Sequence, residues 1–149
     1  MRHMSNERAR LLDQLDETLL RFVWNVKEEM AHIFRTLGIR SEQIQVLELI
    51  DRGMRHPKSI ADAIHWDPPL LSHYLSKLEK LKLIERSLDP HDRRRTQIRL
   101  TPLGKEALKQ ARITWHEYIS QVLSDLEEEE LVVLRELLEH ILTSREYTS

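Results

Sequence analysis

Apolar residues recur three or four positions apart along most of this chain, the spacing of helices that have one apolar face. The first and longest stripe predicts a helix of about seven turns. Gly38 is expected to end this helix, because glycine readily takes the positive φ found just past a helix end. The stripe consists of Leu12, Leu15, Leu19, Val23, Val26, Met30, Phe34 and Leu37. A helix this long needs an extensive partner surface.

The same spacing predicts three shorter helices in the middle of the chain. Ser41 can cap the first of them, which Gly53 ends, and the second lies around Ser59–Ile64. Asp67 followed by two prolines predicts the start of the third, since proline is tolerated where a helix needs no amide donor. The expected buried residues are Ile44, Leu47, Ile50, Ile60, Ala61, Ile64, Leu71, Leu75 and Leu78.

Two short runs after the third of these helices predict a β-hairpin. The first is Ile84–Arg86; in the second, Thr96–Leu100, Gln97 and Arg99 alternate with less polar residues, the period of a half-buried strand. The loop between them carries Arg93–Arg95. Three adjacent guanidiniums are too costly to bury without partners. The hairpin is therefore predicted to project from the body and to meet a polyanion.

The rest of the chain predicts two more helices. Thr101-Pro102 starts the first, and Glu127–Glu130 places four carboxylates where the dipole at the start of the second favours them. Their stripes are Leu108, Ala111, Trp115, Tyr118, Val122 and Leu126, then Leu131, Leu134, Leu138 and Ile141. The stripes at both ends of the chain exceed what a domain this small needs for its own core. We therefore expect a symmetric homodimer.

Composition indicates an uneven distribution of charge along the chain and predicts where the protein is located. At 149 residues, with a net charge of −2, the chain is most simply one domain. Residues 67–99 nevertheless contain eight Lys and Arg against five Asp and Glu, so this segment is +3 and the remainder −5. A basic face on an acidic body favours phosphate as a partner. No apolar run approaches the roughly 20 residues that a bilayer requires, so no membrane partner and a cytoplasmic location are expected.

Several kinds of chemistry are not expected. The chain has no cysteine, and its eight histidines include no pair at the three- or four-residue spacing of a helical metal site. It has neither a G-x-S-x-G elbow nor a glycine loop that would cradle phosphate. We therefore expect no metal, no cofactor and no enzymatic activity.

Two short helices followed by a basic hairpin are typical of a winged helix-turn-helix, and this chain resembles the MarR family of bacterial and archaeal transcriptional regulators over nearly its whole length. The segment DPHDRRRTQIRLTPLG is similar to the family's D-x-x-D-R-R…LT-x-x-G signature, and LLSHYLSKLEKLKLIER to its recognition helix and first wing strand. The resemblance implies one mainly α domain over residues 1–149. A winged helix-turn-helix at 41–101 would bind DNA, between dimerisation helices at 5–38 and 102–147.

The resemblance also implies where DNA would bind. The recognition helix would enter the major groove and a wing arginine the minor groove. The expected DNA-binding residues are Pro69, Ser72, His73, Ser76, Lys77, Lys80, Arg86, Arg93, Arg94 and Arg95. Asp89 and Asp92 would orient the wing, Asp92 through an ion pair with the wing arginines. Lys82 stands where the family usually has glycine, so the end of the recognition helix needs another way to satisfy its carbonyls.

The function implied is that of a homodimeric, ligand-responsive repressor that binds a palindromic operator in double-stranded DNA. Trp24, Trp115 and Tyr118 are candidates to line a pocket for a small phenolic or aromatic effector, although large aromatics in a helical domain are more often plain core. Two alternatives stay open at this point. One is a winged-helix protein-interaction module, such as an antirepressor, that binds no DNA. The other is an activator that has no effector.

Overall fold

The chain folds into helices and one β-hairpin. In the computed structural model the backbone is described for residues 2–146 and side-chain exposure for residues 6–144. Two compact units are present, Met1–Arg112 and Ile113–Ser149. The elements are α1 (Arg2–Thr36), α2 (Ser41–Asp51), α3 (Pro57–Ile64), α4 (Pro68–Lys80), β1 (Ile84–Leu88), β2 (Thr96–Leu100), α5 (Pro102–Val122) and α6 (Glu128–Glu146). This order confirms the predicted mainly helical winged helix-turn-helix. None of the described helices is long and apolar enough to cross a membrane.

Most of the core of the first unit lies in the segment 41–101, which we call the head, and Ile39 and Leu108 on either side of this segment complete it. Apolar faces of α2, α3 and α4 meet the hairpin there. Leu47, Ile60, Leu75 and Leu78 are the centre of this core, with at most 1% of each side chain exposed. These residues were all predicted to be buried from their helical spacing. Ile44 and Ile64, predicted with them, are only half-buried.

Two of the predicted helix caps differ from the structure. Arg40, not Ser41, is the residue before α2, and its amide donates to Oε1 of Gln43 at 2.9 Å. The glutamine three residues on therefore satisfies this helix start, and a serine cap is not needed. Asp67 does precede α4, but its side chain makes no capping hydrogen bond. The start of α4 is set instead by prolines whose φ already suits a helix.

Four helix ends use a residue in the left-handed conformation, as a Schellman motif requires. The residues are Gly38, Gly53, His65 and Lys82, with φ of 72°, 97°, 55° and 58°. After α4, the amide of Lys82 donates to the carbonyl of Glu79 at 2.9 Å and that of Leu83 to the carbonyl of Leu78 at 3.0 Å. Lys82 therefore satisfies the helix carbonyls by adopting the conformation usual for glycine, at a cost of about 1 kcal/mol.

The hairpin pairs β1 and β2 in antiparallel register, with Ile84 opposite Leu100. β1 runs two residues further than predicted, and β2 has the predicted bounds. Ile98 is fully buried, and its amide donates to the carbonyl of Arg55 at 2.7 Å. This bond satisfies one backbone group on the edge of β2 that faces away from β1. Gln97 was predicted on the polar side of the strand, but only 8% of it is exposed, so simple alternation is wrong there because β2 is covered on more than one side.

Helix α1 buries only the C-terminal part of its apolar stripe. Met30 and Phe34 are 5% and 6% exposed. The stripe residues nearer the N-terminus are 50–56% exposed: Leu12, Leu15, Leu19 and Val23. The helix is also longer than predicted, at 35 residues. Most of this apolar face therefore has no partner within one copy of the chain among the described residues.

The second unit, like α1, leaves apolar stripe residues exposed. α5 ends at Val122, so Leu126, which was predicted to continue its stripe, lies in the following turn. α6 begins with the predicted carboxylates, and the amide of Glu127 donates to Oε2 of Glu130 at 3.0 Å. Its stripe residues Leu138 and Ile141 are 51% and 54% exposed. The predicted helix end at residue 147 lies outside the described residues.

Candidate nucleic-acid interface

The outer face of α4 is the first part of the candidate interface. Leu71, Leu75 and Leu78 turn one side of this helix into the core. Because a helix turns by 3.6 residues, the intervening polar positions must face away from the core. The predicted DNA-binding residues Pro69, Ser72, His73, Ser76 and Lys80 are all exposed, and Lys77 is half-buried. The two lysines lie in the last turn, where the helix dipole favours positive charge.

Arg86 connects this helix to the hairpin. Its Nη2 donates to Oγ of Ser76 at 3.4 Å, and its Nε lies 3.2 Å from Oε2 of Glu79. This Nε is buried and has no hydrogen-bond partner among the described residues, so its contact with Glu79 is electrostatic only. Two predicted DNA-binding residues, Arg86 and Ser76, thus bind each other. The observed contacts of Arg86 hold β1 against α4, and its contact with DNA stays a prediction.

The loop of the hairpin is closed by hydrogen bonds from its own backbone. The amide of Asp89 donates to the carbonyl of Arg95 at 2.9 Å, and the amide of Arg95 to the carbonyl of Asp92 at 2.9 Å. Oδ1 of Asp92 accepts the amide of Arg94 at 3.0 Å. The side chains of Arg93, Arg94 and Arg95 are exposed. The loop therefore presents three guanidiniums from a backbone that is internally fixed.

Asp92 does not act in the way that the family resemblance implies. Within residues 6–144 it forms no ion pair with the wing arginines. Its carboxylate accepts the amide two residues ahead, as aspartates in tight turns commonly do. The expected ion pair is thus replaced by a hydrogen bond to the backbone, and Asp92 shapes the loop without holding a guanidinium.

Asp89 has a partner that the sequence did not predict. Its Oδ1 accepts the amide of His91 at 2.8 Å, and its Oδ2 lies 3.4 Å from Nε2 of His56. These contacts, the His91 amide first, hold the pKa of the Asp89 carboxyl below its ordinary value, because they favour the charged form. His56 comes just before α3, more than thirty residues away, and no local motif marks the two as neighbours.

The junction from β2 to α5 explains the LT-x-x-G part of the signature. Oγ1 of Thr101 accepts the amide of Gly104 at 3.0 Å, which caps α5, and donates to the carbonyl of Lys82 at 2.6 Å. A Cβ on Gly104 would collide with the carbonyl oxygen of Leu83. Threonine and glycine at these positions therefore fix the start of α5 against the end of α4.

A cavity of about 530 Å³ lies beside α4, within the first unit. Trp66 lines it, in ring contact with Tyr74 at 5.0 Å between centroids. Ser72 and Arg86, both predicted to bind DNA, also line the cavity, and Lys58 adds a second cation. Asp62 lines the cavity as well, so that its charged groups are two cations and one carboxylate. An apolar floor whose lining is net positive suits a small aromatic anion.

The three residues predicted to line an effector pocket lie elsewhere. Trp24 is exposed on α1 in the first unit, at 63%. Trp115 and Tyr118 belong to the second unit, with ring centroids 6.2 Å apart. A pocket at these residues stays a prediction. Among the described residues, no group of three histidines and carboxylates is placed to hold a metal ion.

Comparison with known proteins gives a consistent set of relatives, although no protein-family model matches the chain. The chain is 30% identical over 102 residues to YxaD of Bacillus subtilis (strain 168), an uncharacterized HTH-type transcriptional regulator, covering 68% of this chain and 71% of that protein. It is similar to MepR of S. aureus in complex with DNA, with 27% identity, a TM-score of 0.67 and coverage of 85% and 93%. Wild-type MarR from E. coli shares the fold, at 23% identity, a TM-score of 0.72 and coverage of 83% and 93%.

Proposed function

This chain belongs to the MarR family of transcriptional regulators, and from that membership we propose that it binds a palindromic DNA operator as a homodimer and represses transcription until a small ligand releases it. The observation that carries the proposal is the presence of two exposed surfaces on the same head. They are the polar face of α4 and the arginine loop of the hairpin, which we call the wing (residues 84–100).

The two surfaces suit the two grooves of DNA. A polar helix face of small side chains fits the major groove, where Ser72, His73 and Ser76 would meet base edges or phosphate. Exposed guanidiniums at Arg93–Arg95 suit a narrow minor groove, which concentrates negative potential. Arg86 keeps the spacing between the surfaces fixed by binding Ser76 and Glu79 across the strand and helix. MepR, which is similar to this chain, has been solved in complex with DNA.

The proposed homodimer rests on the exposed apolar stripes of both units. Leu12, Leu15 and Leu19 of α1 and Leu138 and Ile141 of α6 are all at least half exposed within one copy. Contiguous apolar surface of this kind is unusual on a monomer and marks an interaction site. A second copy offers the same stripes, so that a two-fold interface buries them and presents two heads to two half-sites.

The proposed ligand site is the cavity beside α4. A small aromatic anion bound there would contact Ser72 and Arg86, and so would change the face that meets the major groove. Because only a difference in affinity between two states shifts an equilibrium, such a ligand would release DNA by favouring the head geometry that does not fit the operator. The proposed site is thus lined by residues of the head, and Trp24, Trp115 and Tyr118 are not among them. The protein would act in the cytoplasm, and the proposal assigns it no enzymatic activity.

The experiment that tests DNA binding is selection of bound duplexes from a random pool by the full chain. We expect the recovered sequences to share a palindrome. Arg94→Ala should then weaken binding to the recovered duplex by about 1–3 kcal/mol if this arginine reaches a groove. The triple change of Arg93, Arg94 and Arg95 to alanine should also flatten the dependence of affinity on salt, because fewer counterions are released.

The matched control is Arg52→Ala, an exposed arginine at the end of α2 that lies outside both surfaces and outside the apolar stripes. It should leave affinity and salt dependence unchanged. If the pool yields no enriched duplex while the protein is folded and dimeric, DNA binding is wrong and the antirepressor alternative takes its place. Unchanged affinity in the triple variant would reject the role of the wing alone.

A further inference from the structure

We propose that His56 is a positioning residue for the wing, and that protonation of its imidazole tightens the attachment of the wing to the head and strengthens DNA binding. The proposal rests on the DNA-binding function above and concerns a residue that the sequence did not single out. Its basis is that both ring nitrogens of one half-buried imidazole face the root of the wing.

The two nitrogens face two different strands of the hairpin. Nδ1 lies 3.2 Å from the carbonyl oxygen of Thr96, the first residue of β2. Nε2 lies 3.4 Å from Oδ2 of Asp89, the residue after β1. His56 itself directly precedes α3, in extended backbone. One side chain therefore connects the start of α3 to both ends of the wing loop.

Both of these partners are acceptors. A carbonyl oxygen and a carboxylate have no proton to donate, and a neutral imidazole carries only one N–H. In its neutral form the ring can therefore satisfy one partner while its other nitrogen presents a lone pair to the second. The imidazolium carries two N–H groups, so it donates to both partners, and its contact with Asp89 becomes an ion pair. The geometry is complete only in the charged form.

The neighbouring charges support this direction. Asp89 is the one charged side chain within ion-pair distance of the His56 ring among the described residues. The depressed pKa of Asp89 keeps its carboxylate charged across the range in which histidines titrate. His91 acts electrostatically on the same carboxylate, and Arg55 and Lys58, the nearest cations along the chain, are exposed to solvent.

The attachment reaches the arginines through the loop backbone. The amide of Asp89 donates to the carbonyl of Arg95, and that of Arg95 to the carbonyl of Asp92. Holding Asp89 against α3 therefore also holds the segment that carries Arg93 and Arg94. A loop that is ordered before binding loses less conformational entropy when it enters a groove. His56 would raise affinity in this way without touching DNA.

The test compares wild type with His56→Gln, which can donate one hydrogen bond but cannot titrate. In the free full-length protein, backbone ¹⁵N relaxation at residues 93–95 should show a more ordered loop at about pH 5.5 than at about pH 8 in wild type. His56→Gln should show no such change. Asp89→Asn, which keeps the carboxylate's shape without its charge, should also lose most of the pH response.

The second measurement is affinity for the duplex recovered by selection, over the same pH range. We compare the gain in affinity from about pH 8 to about pH 5.5 in the two proteins. This gain should be about threefold larger in wild type than in His56→Gln. His91→Gln, with an exposed imidazole in the same loop, is the control and should keep the wild-type response. Thermal unfolding of each variant shows that it is folded.

The outcomes separate this proposal from the proposed function. If no duplex is recovered, DNA binding is wrong, but the relaxation measurement still decides whether His56 orders the wing. If wild type and His56→Gln share the same pH response in both measurements, the positioning role of His56 is rejected while DNA binding stands. The positioning role of His56 is also rejected if His91→Gln loses the pH response while His56→Gln keeps it.

Discussion

The head and the terminal stripes contain similar apolar side chains, but the head buries them and the stripes expose them to solvent. In the head, leucines such as Leu47 and Leu75 are at most 1% exposed, within one copy of the chain. On α1 and α6, leucines at the same helical spacing, such as Leu19 and Leu138, are 56% and 51% exposed. Burial of apolar side chains therefore stabilises the head within one copy of the chain, whereas the stripes can contribute in this way only when a partner covers them. Stability of the first kind is independent of protein concentration, and stability of the second kind is not.

The largest expected loss in the free energy of unfolding comes from a change at Gly104, where the head meets α5. Gly104→Ala places a methyl group against the backbone carbonyl of Leu83, which cannot move without disturbing the bonds of Thr101. We expect a loss of about 4 kcal/mol or more, enough to unfold the head. Chemical denaturation followed by circular dichroism measures it.

The matched control is Gly38→Ala at the end of α1. A Cβ there meets open space, and only the positive φ of 72° opposes it. This change should cost about 1 kcal/mol. Equal losses for the two glycines would show that the contact with Leu83 relaxes easily, and that the junction is less rigid than its geometry indicates.

The next effect compares the same substitution in the two regions. Leu75→Ala should lower the free energy of unfolding by about 2–5 kcal/mol at every protein concentration, because it leaves a cavity in a closed core. Leu19→Ala should change little within one copy, since the side chain is already half exposed. Its cost should appear as weaker dimerisation. Sedimentation and thermal unfolding over a range of concentrations distinguish the two effects, and an unaltered dimer in Leu19→Ala would remove α1 from the proposed interface.

The same contrast explains how far sequence reasoning reached. Periodicity located the core residues of the head and the exposed stripes, because both depend only on helical spacing. Local capping rules were less successful, since Gln43 replaced Ser41 as the side chain that satisfies the start of α2. His56 and Asp89 were not paired, because contacts between residues distant in sequence depend on packing that no local motif encodes. The expected ion pair of Asp92 is not among the contacts of the described residues, where its Oδ1 accepts the amide of Arg94.

The smallest expected effect concerns the left-handed residues that end the helices. α1 and α2 end with glycines, at Gly38 and Gly53, whereas α3 and α4 end with His65 and Lys82 in the same conformation. Non-glycine residues are strained there, so the two helices of the helix-turn-helix are held with less than optimal local stability. Strained positions are more often found at functional sites than elsewhere.

Lys82→Gly should therefore stabilise the protein by roughly 0.5–1 kcal/mol, because relief of the left-handed strain exceeds the entropy that glycine adds to the unfolded chain. Lys82→Ala separates the backbone from the charge: it keeps the strain, and should leave stability nearly unchanged. Urea denaturation resolves differences of this size when all variants are measured together. If glycine instead destabilises the protein, the lysine side chain makes a stabilising contribution that outweighs its backbone strain. If glycine does stabilise it, the hydrogen bonds to the carbonyls of Glu79 and Leu78 form in spite of the strain at residue 82, and α4 keeps a strained C-terminal end in this chain.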